Sequence, residues 1–483
     1  MRFTRHKAYF IILLPILIYF HFRGLIVHDE GYVLNSADKL LRGLIPYKDF
    51  HYSYTPLSIF LTSASFILFG SSIFSSRILM LLLSLISSLL IYYIVKMSAK
   101  KDLYAFLAVI AYVAWGPSHI NFAWPVMFVL PLTLLSIYLT LLYARTKLDF
   151  LPFTIGLVLF GAFLAKQNFG IIFLPIFVHF RTFYKNQFQK ILQLVYGYVW
   201  GVILFIIYLL ATQSFEGFLS DFYAFTIKKV IINQDITTSI LFIDTPIQTL
   251  FRAGIYFVLP VISVLSICIL IYRKKYQLIF IPTITFIYFV VGMRPTSDYV
   301  HLVPLLSLVG LPSAILVNKL PLPFVKAAIY ITLVVIITAG FQTSLFKGYY
   351  RWDIPLSENN SYLKGKAGIY TNSKFFSEYN EIKSEVDNYS FDGDYIYFDT
   401  YSPLLYFLLD RPQPNPYDFP GFISDNEYQE LSVYSLVAKD VKVVFLTERT
   451  PNTQVRNYVD KKYKYIKKIG DYYLYVKLDM TDS

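Results

Sequence analysis

Long apolar runs constrain this chain more than any other feature. They recur from residue 8 to residue 341, and many approach the roughly 20 residues that an α-helix needs to cross a bilayer. A soluble domain could not bury so many of them in one core. Charged residues make up 15% of the 483 residues, against about 25% in ordinary soluble domains. The acidic residues avoid the apolar part: 20 of the 31 Asp and Glu follow residue 341. The expected organisation is therefore a transmembrane domain over 1–341 and a water-soluble domain over 342–483.

Charge also gives an orientation. Up to residue 341 there are 26 Lys and Arg against 11 Asp and Glu; beyond it there are 17 against 20. The net charge of +12 thus comes from the membrane part. There it reads as cytoplasmic anchoring charge and not as a nucleic-acid surface. The expected spans lie at about 8–27, 76–95, 103–116, 125–143, 149–165, 169–183, 191–212, 251–272, 277–292, 302–317 and 323–341, eleven in all. Basic clusters follow every second span, at Lys96–Lys101, Arg145–Lys147, Arg181–Lys190 and Arg273–Lys275. This implies an integral protein of the cell membrane with a cytoplasmic N-terminus and an extracytoplasmic tail. The weak point is Pro56–Gly70, which would flip every later span if it crossed; an amphipathic helix lying on the outer surface is the preferred reading. The basic N-terminus ahead of an apolar run lacks a small-residue cleavage site, so it reads as a retained first helix.

The tail alternates short strands and helices. Strands are expected at Gly368–Thr371, Tyr395–Asp399 and Val441–Leu446, and helices at Glu378–Asn388, Pro403–Leu409, Asn426–Lys439 and Gln454–Lys462. Tyr463–Lys477 reads as a closing hairpin turning at Gly470-Asp471. The fold class is thus a polytopic α-helical membrane protein with a C-terminal α/β domain. The single Cys268 sits in an apolar run and excludes an internal disulfide.

No Walker loop, GxGxxG, HExxH or GxSxG motif is present. Polar groups instead gather in loops on the expected outer side: His28-Asp29-Glu30 after the first span, Arg77 at the start of the second, Lys166-Gln167-Asn168, and the Arg294–His301 connection with Asp298. Taken singly, these have ordinary readings. Lys166 and Arg77 could snorkel to lipid headgroups, and His301 could be an interfacial histidine. Taken together they offer carboxylates and cations on one side of the membrane, as an enzyme acting on a lipid phosphate requires.

The ordered series Asp29-Glu30-Gly31-Tyr32, Ala37, Leu40 to Gly43, Pro46-Tyr47, Asp49, Pro56-Leu57, Leu68-Phe69-Gly70 and Arg77 resembles the opening of GT-C glycosyltransferases. It is most similar to their protein O-mannosyltransferase and aminoarabinose transferase branch. Lys166-Gln167 resembles a lysine turn of that branch, and Asp298-Tyr299-Val300-His301-Leu302-Val303-Pro304 a late His-containing motif. The resemblance covers about 25–80 well and 150–310 more loosely; over the tail it is architectural. It implies a hexosyltransferase-like enzyme that takes sugar from a polyprenyl-phosphate donor. The acceptor hydroxyl would lie on a glycan, a lipid or a protein. Asp29, with Glu30 beside it, would be the catalytic carboxylate. Lys166, Gln167, Arg294, Asp298, His301 and Arg77 would form the substrate and phosphate set. Some members carry a basic residue before paired prolines in the first loop. Here His51-Tyr52-Ser53-Tyr54-Thr55-Pro56 has one proline and no lysine, and His51 is the candidate substitute. His28, Asp29, Glu30 and His51 show no regular metal-ligand spacing, so no metal and no cofactor are expected. A lipid or sugar transporter and a non-catalytic envelope assembly protein are the competing readings. Transporters usually show paired repeats and midplane polar groups, and neither is evident here.

Overall fold

The computed structural model describes residues 5–184, 187–224, 246–292, 304–320, 322–347, 354–399, 401–418, 425–448 and 453–478. Among the described residues, a helix overlaps each expected span, though the one at 302–317 begins only at Gly310. These are α1 (Arg5–His21), α4 (Ile73–Ala99), α5 (Asp102–Trp115), α6 (Pro125–Thr146), α7 (Leu151–Ala165), α8 (Phe173–Phe183), α9 (Phe188–Ala211), α11 (Pro246–Tyr272), α12 (Phe280–Gly292), α13 (Gly310–Lys319) and α14 (Pro323–Gln342). Among the described residues, four are long and apolar enough to cross a bilayer unaided: Ile73–Ala99, Pro125–Thr146, Phe188–Ala211 and Pro323–Phe346. The other apolar helices are shorter, at 10–17 residues. Lipid-side residues such as Ile11, Trp200 and Val335 remain exposed while Trp115, Phe128 and Leu194 are buried between helices. Helices α7 and α9 come into backbone contact at Gly156 and Gly197. A Cβ at Gly156 would run into the Leu194 carbonyl, and one at Gly197 into the Phe153 carbonyl, which is how small residues let membrane helices approach closely.

Helix α1 ends at His21, six residues before the expected boundary. Its closing carbonyls explain the stop. Asn121 Nδ2 donates to the carbonyls of Phe20 (2.6 Å) and Arg23 (2.8 Å), and Arg77 donates to those of His21 and Gly24. The chain then leaves as an extended segment, and Arg23 forms a parallel bridge with Tyr370 of the tail.

Among the described residues, three short helices stand outside that set: α2 (Asp29–Leu41), α3 (Leu57–Phe69) and α10 (Phe215–Phe222). All three approach the same face. Asn35 and Lys39 of α2 bond to Asp418 of the tail, and Asp221 of α10 bonds to His51, whose backbone N–H donates to the Pro416 carbonyl. Helix α3 begins beside Thr55, which bonds to Phe163 near the end of α7. It finishes at Gly70, just before Ile73 donates to the Lys366 carbonyl of the tail. Both ends of α3 therefore lie on the face where the tail packs. Its inward side carries Ser58, Thr62, Ser63 and Ser65, while Ile67, Leu68 and Phe69 are exposed.

The tail is α/β. Strands β1 (Ser361–Leu363) and β2 (Ile369–Thr371) form an antiparallel pair. A four-stranded sheet has the order β3-β4-β6-β5, with β3 (Ile396–Phe398) parallel to β4 (Val443–Thr447). The last two strands, β5 (Tyr463–Ile469) and β6 (Tyr472–Lys477), are the expected hairpin turning at Gly470-Asp471. Helices α15 (Ser373–Tyr389), α16 (Pro403–Leu409), α17 (Asp425–Ala438) and α18 (Gln454–Lys462) fall where helices are expected. Among the described residues, strand β1 of the tail and the short helices α2 and α10 are elements that sequence reading omits.

Candidate active site

The site is assembled around α2. A helix turns 100° per residue, so the adjacent carboxylates of Asp29 and Glu30 cannot face the same way. Glu30 turns inward. Its Oε1 lies 2.7 Å from Arg77 Nε and its Oε2 2.8 Å from Arg77 Nη2, and both side chains are 0% exposed. Arg77 also donates to the carbonyls of His21, Gly24 and Asn121, and Glu30 Oε2 accepts from the Ile26 N–H. The guanidinium fork is thus consumed by a bidentate pair and three carbonyls. Expected as a catalytic carboxylate and a phosphate-binding cation, Glu30 and Arg77 instead hold one another. Together they pin the turn between α1 and α2 to the start of α4.

Asp29 is the first residue of α2 and is half-buried. The tail closes over it. His28 Nδ1 bonds to the Tyr401 carbonyl, and the two rings stack 5.3 Å apart at 6°. Leu404 donates its N–H to the Val27 carbonyl at 3.2 Å, and Gly31 lies directly against the Leu404 backbone. Burial pushes the Tyr401 hydroxyl pKa well up, and the charge of Asp29 raises it further. Tyr401 is therefore a neutral phenol close to the Asp29 carboxylate.

From Asp29 a file of aromatic rings leads to Lys166. Tyr401 and Tyr32 rings are 6.1 Å apart, and those of Tyr32 and Tyr54 6.4 Å. Lys166 Nζ stands 5.5 Å from the Tyr54 ring and 5.9 Å from that of Phe169. Lys166 caps α7 and is 2% exposed, so its ammonium is held at a buried aromatic face and does not snorkel. Trp124 meets Tyr54 edge to face at 5.7 Å. Its Nε1–H is buried and has no hydrogen-bond acceptor among the described residues. Unsatisfied buried donors are rare, and this one stands beside the file.

The remaining first-loop residues fix the wall. Gln167 Nε2 donates to the Ser53 carbonyl at 2.9 Å, and its Oε1 accepts from the Thr55 N–H at 3.3 Å. Tyr32 Oη accepts from the Ser53 N–H at 2.7 Å. His51 Nδ1 lies 2.6 Å from Asp221 Oδ1, Asp221 Oδ2 accepts from the Tyr52 N–H, and the His51 ring stacks on Tyr417 at 3.8 Å. Gln167 therefore braces the loop. His51 is tied to a carboxylate and an aromatic ring that sequence reading did not connect with it.

Asp29, Lys166, Gln167 and His51 thus share the tail face. Arg294, Asp298 and His301 lie outside the described residues. Among the described residues, no three His, Cys, Asp or Glu side chains are placed to hold a metal. An apolar cavity of about 400 Å³ opens between α3, α7 and α9, lined by Phe60, Leu164, Gly201 and Tyr208 among others. Sequence reading missed Tyr401, Trp124 and Asp221. The first two carry no motif, and Asp221 shows only as one more acidic residue of an outer loop.

No protein-family model and no curated protein sequence matches the chain. Solved structures do. ArnT from Cupriavidus metallidurans bound to undecaprenyl phosphate superposes with a TM-score of 0.65 at 12% identity, covering 98% of each chain. The apo state of ArnT from the same organism gives 0.65 at 14% identity over 97% of each. ArnT is a GT-C glycosyltransferase of the aminoarabinose transferase branch. The chain therefore shares the fold of these two structures over nearly its whole length.

Proposed function

We propose that this protein is a membrane glycosyltransferase that moves a sugar from a polyprenyl-phosphate donor to an acceptor hydroxyl. The observation that carries this reading is the placement of Asp29 and Lys166. Within an ArnT-like fold, they stand at the two ends of one aromatic file, and an apolar cavity of about 400 Å³ lies between α3, α7 and α9.

In this reading the polyprenyl chain lies in the cavity between α3, α7 and α9, with its phosphate near Lys166. The Asp29 carboxylate takes the acceptor's hydroxyl proton as that oxygen attacks the anomeric carbon. The bond between that carbon and the phosphate oxygen breaks, and polyprenyl phosphate leaves with both electrons. Attack opposite the leaving group inverts the anomeric centre. Lys166 and the Trp124 N–H stabilise the charge that grows on the phosphate. No metal or cofactor takes part in this scheme. Arg294, Asp298 and His301 remain proposed phosphate or sugar ligands, and the acceptor is a glycan, a lipid or a protein.

The topology proposed with it has eleven crossings, a cytoplasmic N-terminus and an extracytoplasmic tail. The return of α3 to the face it starts from supports a non-crossing Pro56–Gly70, and the basic clusters support the orientation. The reading is tested by mass spectrometry of envelope glycans and glycolipids with and without this gene. A glycoform should vanish on deletion, return with the wild-type gene and stay absent with Asp29→Asn. Its return with Asp29→Asn would overturn the proposal.

A further inference from the structure

A second cavity lies at the far end of the helices. It is about 480 Å³ and is bounded by α8, α12 and the turn before α12; its walls include Leu174, Val178, His179, Thr182, Phe280 and Thr283. The tail-face end of α8 is the turn at Gln167–Ile172, so the His179–Phe183 end is the opposite one. Leu174 and Val178 are 53% and 58% exposed, so the cavity opens sideways into lipid.

One polar side chain stands out in this lining. His179 is 5% exposed, and its ring is packed 4.6 Å from Phe280 and 4.9 Å from Phe183. It makes no hydrogen bond among the described residues. It lies one turn inside the end of α8, roughly 6 Å from it. Each interfacial layer of a bilayer is roughly 5–7 Å deep, so with the end of α8 at the membrane surface His179 is level with a phospholipid's ester carbonyls. The rim is cationic. Lys147 Nζ sits 4.2 Å from the Tyr184 ring, itself 6.0 Å from that of His179. Arg181, Arg273, Lys274 and Lys275 stand at the same end, exposed and without an ion pair among the described residues. The nearby acidic residues are otherwise engaged: Asp149 pairs with Lys190, and Asp102 with Lys96.

We propose that this cavity binds an anionic phospholipid of the leaflet opposite the tail. One acyl chain fills the apolar space, His179 donates a hydrogen bond to an ester carbonyl oxygen, and the phosphate meets Lys147 and Arg181. The site is distinct from the proposed donor cavity between α3, α7 and α9, and does not depend on the enzymatic reading.

The test is native mass spectrometry of the full chain released from nanodiscs containing phosphatidylglycerol, phosphatidylcholine of the same chains, or added undecaprenyl phosphate. Wild type should retain one phosphatidylglycerol through delipidation and should lose phosphatidylcholine. Thr283→Phe, which fills the cavity, should abolish retention. Lys147→Ala and Arg181→Ala, at exposed positions where folding is not at stake, should each weaken it about fivefold. Equal retention of phosphatidylcholine, or retention unchanged in the Lys147 and Arg181 variants, would overturn the proposal. Displacement of phosphatidylglycerol by undecaprenyl phosphate at this site would overturn the assignment to a phospholipid.

Discussion

Substituting Gly31 by alanine tests how the tail serves the site. Gly31 faces the Leu404 backbone across the contact between α2 and α16. A Cβ there would stand 2.6 Å from both Cα and Cβ of Leu404, and closer still to its backbone nitrogen. Carbon atoms pack at about 3.5–4.0 Å, so the two helices must part by about 1 Å. Neither yields alone, because the Leu404 N–H is bonded to Val27 and the Tyr401 carbonyl to His28. Overpacking of this size typically costs about 1–3 kcal/mol. The larger effect should fall on rate. Asp29 sits two residues away, and a misplacement of about 1 Å at a reacting group can cost on the order of 10²-fold. Steady-state transfer by purified Gly31→Ala should therefore show kcat down by about that factor with donor KM little changed. Leu404→Ala should not rescue it, because the obstructing backbone and Cβ atoms remain. A Gly31→Ala enzyme with wild-type kcat and melting temperature would refute the idea that the tail positions Asp29.

Arg77→Met strands the buried Glu30 carboxylate. Breaking a buried pair costs about 3–5 kcal/mol, so thermal unfolding should collapse, while Glu30→Gln with Arg77→Met together should recover part of the loss. Lys166→Ala should weaken transfer by roughly 10²-fold or more through loss of charge stabilisation, read as kcat/KM of the purified protein. Trp124→Phe keeps an aromatic ring but deletes the N–H that has no acceptor among the described residues; it should lower kcat severalfold, since the lost bond is worth about 1 kcal/mol or more, and unchanged kinetics would remove Trp124 from the site. Burial pushes the Asp410 carboxyl up, but Lys366 and Arg42 outweigh it and hold the pKa below the ordinary 3.8. The contribution of this carboxylate to tail docking is thus complete above that value and is lost only as pH falls through the lowered one. Hydrogen exchange along α16 should be flat from pH 7 to pH 5 after correction for intrinsic rates, and a loss of protection at pH 5 would contradict this.

Much of the architecture is local and could be read directly. Helix α18 has its expected ends because Thr453 caps it and accepts from the Arg456 N–H, and the closing hairpin turns at Gly470, where φ is +56°. Apolar runs placed the membrane helices for the same reason. The early end of α1 was not legible, because the groups that stop it, Arg77 and Asn121, lie far along the chain. Nor did the pair Asp29-Glu30 reveal which carboxylate faces the site; that depends on Arg77, 47 residues beyond Glu30. The His51–Asp221 contact spans 170 residues. Tyr401 escaped notice because a tyrosine in a tyrosine-rich tail has no signature until its neighbours are known.

The most direct test of the enzymatic reading is transfer by purified protein in nanodiscs. A panel of undecaprenyl-phosphate monosaccharides would be compared with the corresponding nucleotide sugars, using wild type and Asp29→Asn, with and without chelator. Sugar transfer should occur only from the lipid donor, persist in chelator, and fall by about 10²–10⁴-fold in Asp29→Asn, the range for loss of a general base. Transfer from a nucleotide sugar with no lipid carrier present, or undiminished transfer by Asp29→Asn, would contradict the account.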